Sequence, residues 1–319
     1  MNQGPLRGKV AVVAGATRGA GRGIACMLGE AGAIVYCLGR SSRQNVDPKE
    51  NLETIEDTAD KVAENGGRGI PVCVDLRNAN EVESVFGRIQ NEQNQLDLLV
   101  NNLSGDQFFT RDMLSGEHPV PFWEYPISKG LAAQENGVHT QLITAFHAAQ
   151  VMVRQQYGLI IEITDGNRLS YNDVGVYYSL SKTSLVMLAH LMAEELRDHN
   201  VAVLSLTPGW LRSEKMLRGF GVTESNWRDA VPDYPGFEHS ETPFYVGRGV
   251  VALARDPQIM LRTGHALSAG YLAHEYGFTD VDGLQPPGYA WYGAPIKEGV
   301  FENGCFGPLD IDETRQSIE

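Results

Sequence analysis

Apolar and polar positions come in blocks along this chain. Val10-Ala11-Val12-Val13 is an unbroken apolar run that ends in Gly15-Ala16-Thr17-Arg18-Gly19-Ala20-Gly21 and reopens as an apolar, Ala-rich stretch at Ile24. Such a run, bounded by glycines, predicts a strand buried on both faces, then a tight turn into a helix. The alternation repeats. Further apolar runs predict strands over residues 34–38, 69–74, 96–100, 159–164 and 201–206, with a short one near 265–269. Apolar residues at helical spacing predict helices over 52–65, 82–92, 131–155, from Tyr177 through Leu196, and 243–255. Strands linked through helices by short joins predict a parallel sheet of about seven strands, doubly wound, with helices on both faces.

Two stretches break the rhythm. Residues 107–130 are too long for an ordinary connection and carry Phe108, Phe109, Met113, Phe122, Trp123 and Tyr125; residues 216–240 carry Phe220, Trp227, Tyr234 and Phe237. Long loops rich in aromatics are functional covers or packing and subunit contacts rather than disordered linkers. The last fifty residues are rich in Gly, Pro and aromatic residues such as Tyr289, Trp291, Tyr292, Phe301 and Phe306. We expect one α/β domain over residues 1–270, with substrate-covering loops at 106–130 and 214–240. Residues 271–319 then form an extension that wraps the domain or a neighbouring subunit.

Of the 319 residues, 42% are hydrophobic, enough for a large core, and the net charge of −14 speaks against nucleic acid and anionic membrane surfaces as partners. Cys26, Cys37, Cys73 and Cys305 show no metal-like spacing. The first three fall in predicted core elements and read as buried free thiols in a reducing compartment. No apolar run marks a leader or a membrane span, so a cytoplasmic protein without a metal is expected.

The first turn carries the first candidate chemistry. A glycine-rich turn between a strand and a helix brings backbone N–H groups and the positive end of the helix to an anion. Gly15 permits the tight turn, Gly19 the approach of phosphate, and Gly21 the packing of helix on strand. In a Rossmann-type sheet this is a dinucleotide site. The second strand ends in Gly39-Arg40-Ser41-Ser42-Arg43, with no Asp or Glu between residues 34 and 43. Basic residues there accommodate a ribose 2′-phosphate, so NADP(H) is favoured and NAD(H) remains open. Asp75, closing the third strand, either accepts from the adenine amino group or caps the helix beginning near Asn78. Tyr178 and Lys182, four apart, share one helix face. An ammonium beside a phenol lowers its pKa from about 10, so Tyr178 suits proton donation to a substrate.

Together these residues resemble the classical short-chain dehydrogenase/reductase family over roughly residues 7–270. The residues 14–21 look like its cofactor turn, including Thr17, Arg18 and Ala20. Asp75 with Leu76 is similar to its adenine-contacting pair, and Asn101-Asn102-Leu103 to its Asn-Asn-Ala strand end. Tyr178 and Lys182 match its catalytic tyrosine and lysine. The segment Pro208-Gly209-Trp210-Leu211-Arg212-Ser213 resembles the stretch that holds the nicotinamide carboxamide, which implicates Pro208, Gly209, Leu211 and Ser213. Pro121-Phe122-Trp123-Glu124 and Leu272-Ala273-His274-Glu275-Tyr276-Gly277 look like the family's dehydrogenase/reductase member-1 branch, as does Asp280-Val281-Asp282-Gly283. The resemblance implies hydride exchange between a nicotinamide and a carbonyl, alcohol or C=N group of a mid-sized, partly apolar molecule, and a homo-oligomer, dimer or tetramer.

Two positions depart from the family pattern. Thirteen residues before Tyr178, where the family has a serine, stands Asp165. The helix asparagine that anchors a relay water falls at Gly137, with Asn136 one residue away. Ionised, Asp165 opposes an oxyanion; protonated, it donates as the serine does; facing a cationic substrate, it stabilises an iminium. Alternatively, Thr164 supplies the hydroxyl. Two other functions stay open: a cofactor-binding regulator with little turnover, and a cofactor-retaining enzyme of a non-redox reaction.

Overall fold

A computed structural model of the chain describes residues 4–45, 53–104, 120–166 and 175–288. Seven strands form one sheet: β1 Val10–Ala14, β2 Ile34–Gly39, β3 Arg68–Cys73, β4 Leu98–Asn101, β5 Gly158–Ile163, β6 Val201–Thr207 and β7 Ala266–Ser268. Their order is β3-β2-β1-β4-β5-β6-β7 and every pairing is parallel. Winding reverses between β1 and β4, which opens a crevice at the carboxyl ends of those strands.

Successive strand residues face opposite sides, so each strand feeds two cores. Val13, Ile161 and Leu204 meet α1 (Gly19–Glu30), α2 (Ile55–Glu64), α8 (Pro243–Arg255) and α9 (Ala269–Tyr276) through Ile24, Val62, Val250 and Leu272. On the opposite face, Val12, Ile160 and Val203 meet α3 (Ala79–Gln93), α5 (Thr140–Gln155) and α6 (Val176–Leu196) through Phe86, Met152 and Ala189. Doubly wound packing around a parallel sheet is therefore what the apolar blocks build.

Four expectations change. The helix expected over 131–155 starts earlier, as α4 (Ile127–Gln134), and one π-helical turn, Glu135–His139, joins it to α5. Residues 216–240 are not irregular throughout. They fold from α7 (Glu214–Gly219) through two 3-10 turns around a small aromatic core in which Trp227 and Phe237 meet edge to face. Cys26 and Cys37 are buried, but Cys73 is exposed: it ends the edge strand, whose alternate residues face solvent. Asp75 does not cap α3. Asn78 does, accepting from the N–H groups of Asn80 and Glu81.

Of the long loop, residues 105–119, including Phe108, Phe109 and Met113, lie outside the described residues. Its last turn packs against the start of α6, where the Tyr125 and Tyr177 rings lie 5.6 Å apart and Tyr177 donates to the Phe122 carbonyl. The chain beyond α9 folds back onto the domain through Gly288. Tyr245 of α8 donates to the Pro286 carbonyl, and a Cβ on Gly270 would meet the Pro287 carbonyl at 2.5 Å. Cys305 and the aromatic residues from Tyr289 onward lie outside the described residues.

Candidate active site

The glycine turn is built by close approach. Gly15, at φ +82°, is held by donation of its N–H to Leu38, and the Asn102 side chain donates to its carbonyl. Gly21 sits beneath the turn, where a Cβ would lie 2.1 Å from the Gly15 oxygen; only hydrogen fits. Thr58 of α2 braces the turn from behind by donating to the Ala16 carbonyl. The N-cap residue of α1, Arg18, supplies no side-chain cap, and the first turn carries no acidic residue of its own. Its N–H groups therefore form a cradle suited to a diphosphate.

A cavity of about 490 Å³ runs from this turn across the strand ends. Gly15, Thr17, Arg18, Gly19, Ala20, Arg40, Ser41, Asp75, Leu76, Asn102, Leu103, Asp165, Tyr178, Lys182, Pro208, Gly209, Leu211 and Ser213 all line it. Gly21 alone among the expected residues does not, being spent on packing. The donor set fits an anionic dinucleotide: the N–H groups of a helix terminus at one bend, and basic side chains at the strand-two end.

The strand-two end is divided in its loyalties. Arg40 and Ser41 face the cavity, whereas Arg43 is drawn off by Asp57 and Asp60 of α2 and Ser42 is buried against Asn45. Asp75 is gripped by the Arg77 guanidinium, which holds its carboxyl down at about 2. Arg77 itself lines the cavity, as do Lys215 and Met216 from α7. None of these three was evident from the sequence, because nothing in spacing tells which loop residue turns inward.

At the other end, Tyr178 stands in the first turn of α6 and donates its hydroxyl hydrogen to Asp165 Oδ2 at 2.5 Å. Lys182, one turn on and largely buried, holds its ammonium 5.4 Å from the Tyr178 ring centroid. Thr164 is otherwise engaged: its hydroxyl donates to the Lys182 backbone carbonyl at 2.8 Å, which ties the end of β5 to α6. Asp165 is thus the group that β5 offers to the phenol. Asn136 and Thr140 also line the cavity, on either side of Gly137. The π turn admits one extra residue per turn and so changes which side chains face inward. Asn136 faces inward with Thr140, its amide donating to the Ala132 carbonyl.

Behind the Pro208-Gly209 segment lies a buried carboxyl. A Cβ on Gly209 would come within 2.8 Å of Glu241 Oε2, and a short parallel bridge pairs Glu241 with Leu211: Arg212 N–H donates to the Glu241 carbonyl and Glu241 N–H to the Trp210 carbonyl. Burial, reinforced by nearby Asp280, pushes Glu241 up to about 8. Arg212 is buried against the Trp227 ring and bonds Glu224 and Ser240, so it anchors the segment and does not reach the cavity.

Among the described residues, no helix is long and apolar enough to cross a membrane. The family profile for short chain dehydrogenases matches residues 9–219. The chain is 35% identical over 298 residues to dehydrogenase/reductase SDR family member 1 of Mus musculus, covering 92% of this chain and 90% of that one. Its Homo sapiens counterpart is 36% identical over 282 residues, covering 88% and 85%. The fold is similar to a short chain dehydrogenase of Mycobacterium thermoresistibile, with TM-score 0.71, 22% identity, and 89% and 93% of the two chains covered.

Proposed function

The chain belongs to the short-chain dehydrogenase/reductase family, and from that premise we propose that it is an NADP(H)-dependent oxidoreductase acting on a carbonyl, alcohol or C=N group of a mid-sized, partly apolar small molecule. The observation that carries this reading is the Tyr178 hydroxyl, aimed at Asp165 beside the Lys182 ammonium, in the same cavity as the glycine turn. The bound dinucleotide would supply hydride chemistry at its nicotinamide. Residues of the glycine turn with Asn102 and Leu103 would hold its diphosphate, and Pro208, Gly209, Leu211 and Ser213 its carboxamide end. Arg18, Arg40 and Ser41 support the 2′-phosphate form, since guanidinium groups pair with phosphate in charge-assisted bonds and residues 34–43 carry no Asp or Glu of their own.

In reduction Tyr178 passes its proton to the substrate heteroatom, and in oxidation it takes one back. Lys182 favours the phenolate left behind and would hold the nicotinamide ribose. Asp165 selects what can replace it as the phenol's partner. A neutral carbonyl is served when Asp165 carries a proton and donates; a cationic C=N group is served when it is ionised. Residues 1–270 form the working domain in this reading, with 106–130 and 214–240 as covers and 271–319 as an extension packed on the domain or on a neighbouring subunit. A homo-oligomer is the working assembly and the cytoplasm the compartment.

Purified protein with NADPH or NADH, a panel of ketones, quinones and cyclic imines, and Tyr178→Phe as control tests the reading. Turnover with NADPH should fall at least about 100-fold in the control while NADPH affinity holds. Asp165→Asn then sorts the substrates: it spares ketones if the carboxyl donates, and impairs imines if its charge is needed. Tight NADPH binding with no turnover on any substrate would overturn the oxidoreductase reading.

A further inference from the structure

The cradle at the start of α1 already holds an anion from the chain itself. Gly19 N–H donates to Glu214 Oε2 at 2.7 Å, and the other carboxylate oxygen lies 3.5 Å from the Arg22 guanidinium. Gly19 is held at φ +56°, and a Cβ there would meet only the Ser213 side chain, at 3.5 Å. The turn therefore lies beside the segment that carries Glu214. That residue opens α7, and α7 is tied down at its far end as well. Arg218 pairs with the buried Glu53 just before α2; burial pushes the Glu53 carboxyl up, but the Arg218 pairing outweighs it and leaves the pKa lowered. Between the two anchors, Lys215 and Met216 line the cavity. The helix borders the cavity as a strap fastened at both ends.

We propose that Glu214 is an internal competitor for the dinucleotide's diphosphate: its carboxylate occupies a phosphate donor of the cradle and is exchanged for the diphosphate when the cofactor binds. This rests on the cavity being a dinucleotide site. One N–H serves one strong acceptor, and a carboxylate beside a diphosphate repels it. Release of Glu214 frees one end of α7 while Arg218 holds the other. Cofactor entry is thereby coupled to the segment 214–240, the expected cover of the substrate end. Glu214 thus lowers cofactor affinity and makes the strap respond to cofactor.

The test uses the full chain and the substitution Glu214→Gln, which keeps the size of a partly exposed side chain and removes its charge. A charged acceptor binds an N–H about twice as strongly as a neutral one, so the variant should bind NADPH or NADH about tenfold more tightly by fluorescence titration. Adenosine 2′-monophosphate, which has no diphosphate, is the internal control and should bind both proteins equally. Equal or weaker dinucleotide binding by the variant overturns the proposal. So does an equal gain for the dinucleotide and the control, which would be a general effect of net charge. If the wild-type chain binds neither dinucleotide, the reading of the cavity itself falls, and that failure is visible before any variant is made.

Discussion

At the scale of single residues, the chemistry rests on which side chains turn inward, and only part of that is written in spacing. Tyr178 and Lys182 were legible because a four-residue interval on a helix fixes a common face whatever surrounds it. Asp165 was legible by counting, but its partner was not. The bond from Tyr178 depends on how β5 and α6 meet, and Thr164 settles that by spending its hydroxyl on Lys182. The two arginines at the end of β2 looked equivalent, yet Arg43 is claimed by Asp57 and Asp60, carboxylates a full loop away, and Arg40 is not. This asymmetry gives a sharp expectation for cofactor choice. If Arg40 pairs with a ribose 2′-phosphate, Arg40→Ala should weaken NADPH about 10- to 100-fold, the worth of a charge-assisted bond, and leave NADH within about twofold. Arg43→Ala should change neither. Titration of both dinucleotides against each variant decides, and an equal loss for NADPH and NADH in Arg40→Ala would remove the 2′-phosphate from its role.

At the scale of elements, strands and most helices were legible because burial on one or both faces imposes a period, while insertions into a helix leave the period almost untouched. The π turn between α4 and α5 adds one residue without breaking the apolar pattern, so the sequence read as one helix and Asn136 as a residue out of place. The same joint is braced by polar groups that no hydrophobic pattern announces. Gln141 of α5 donates to the carbonyls of Leu103 and Gly137, and Asn101 of β4 donates to the Gln141 carbonyl and to Glu162 Oε1 on β5. Glu162 is wholly buried beside Ser205 of β6 in register, and burial pushes its carboxyl up to about 8 against the opposing pull of the Asn101 amide. The consequence for stability has a definite sign. The unfolded chain loses this proton near 4.5 and the folded chain keeps it until about 8. Stability therefore declines as pH rises through that window and levels off above it. Glu162→Gln keeps an acceptor for Asn101 and has no proton to lose. Relative to wild type it should gain on the order of 3 kcal/mol between pH 5 and pH 8 in urea unfolding. A difference between the two proteins that is the same at both pH values would show that Glu162 is ionised in the fold.

At the scale of the whole molecule, net charge and local charge point in opposite directions. The chain carries −14, yet the cavity gathers Arg18, Arg40, Arg77, Lys182 and Lys215 against Asp75 and Asp165, and Asp75 is already paired with Arg77. A composition sum excludes polyanionic partners without revealing a concave positive patch that draws in one small anion. Exposure follows a similar logic. Ile127 and Leu131 on α4, Leu142 and Phe146 on α5, and Val176, Leu180 and Leu191 on α6 are exposed at intervals of four or eleven residues. Each set lies along one side of its helix. Buried positions on the opposite sides of α5 and α6 already serve the core, so these outer stripes are left uncovered among the described residues. Apolar stripes on neighbouring helices are what a second copy would cover, and a two-fold pairing would set each stripe against its own equivalent. That geometry makes charge an effective probe, since one substitution enters the interface twice. The wild-type chain should run as a dimer or tetramer in light scattering, and Phe146→Glu with Leu180→Glu as a single chain with unchanged circular dichroism. A wild-type monomer, or a charged variant that stays associated, would move the assembly surface away from α5 and α6.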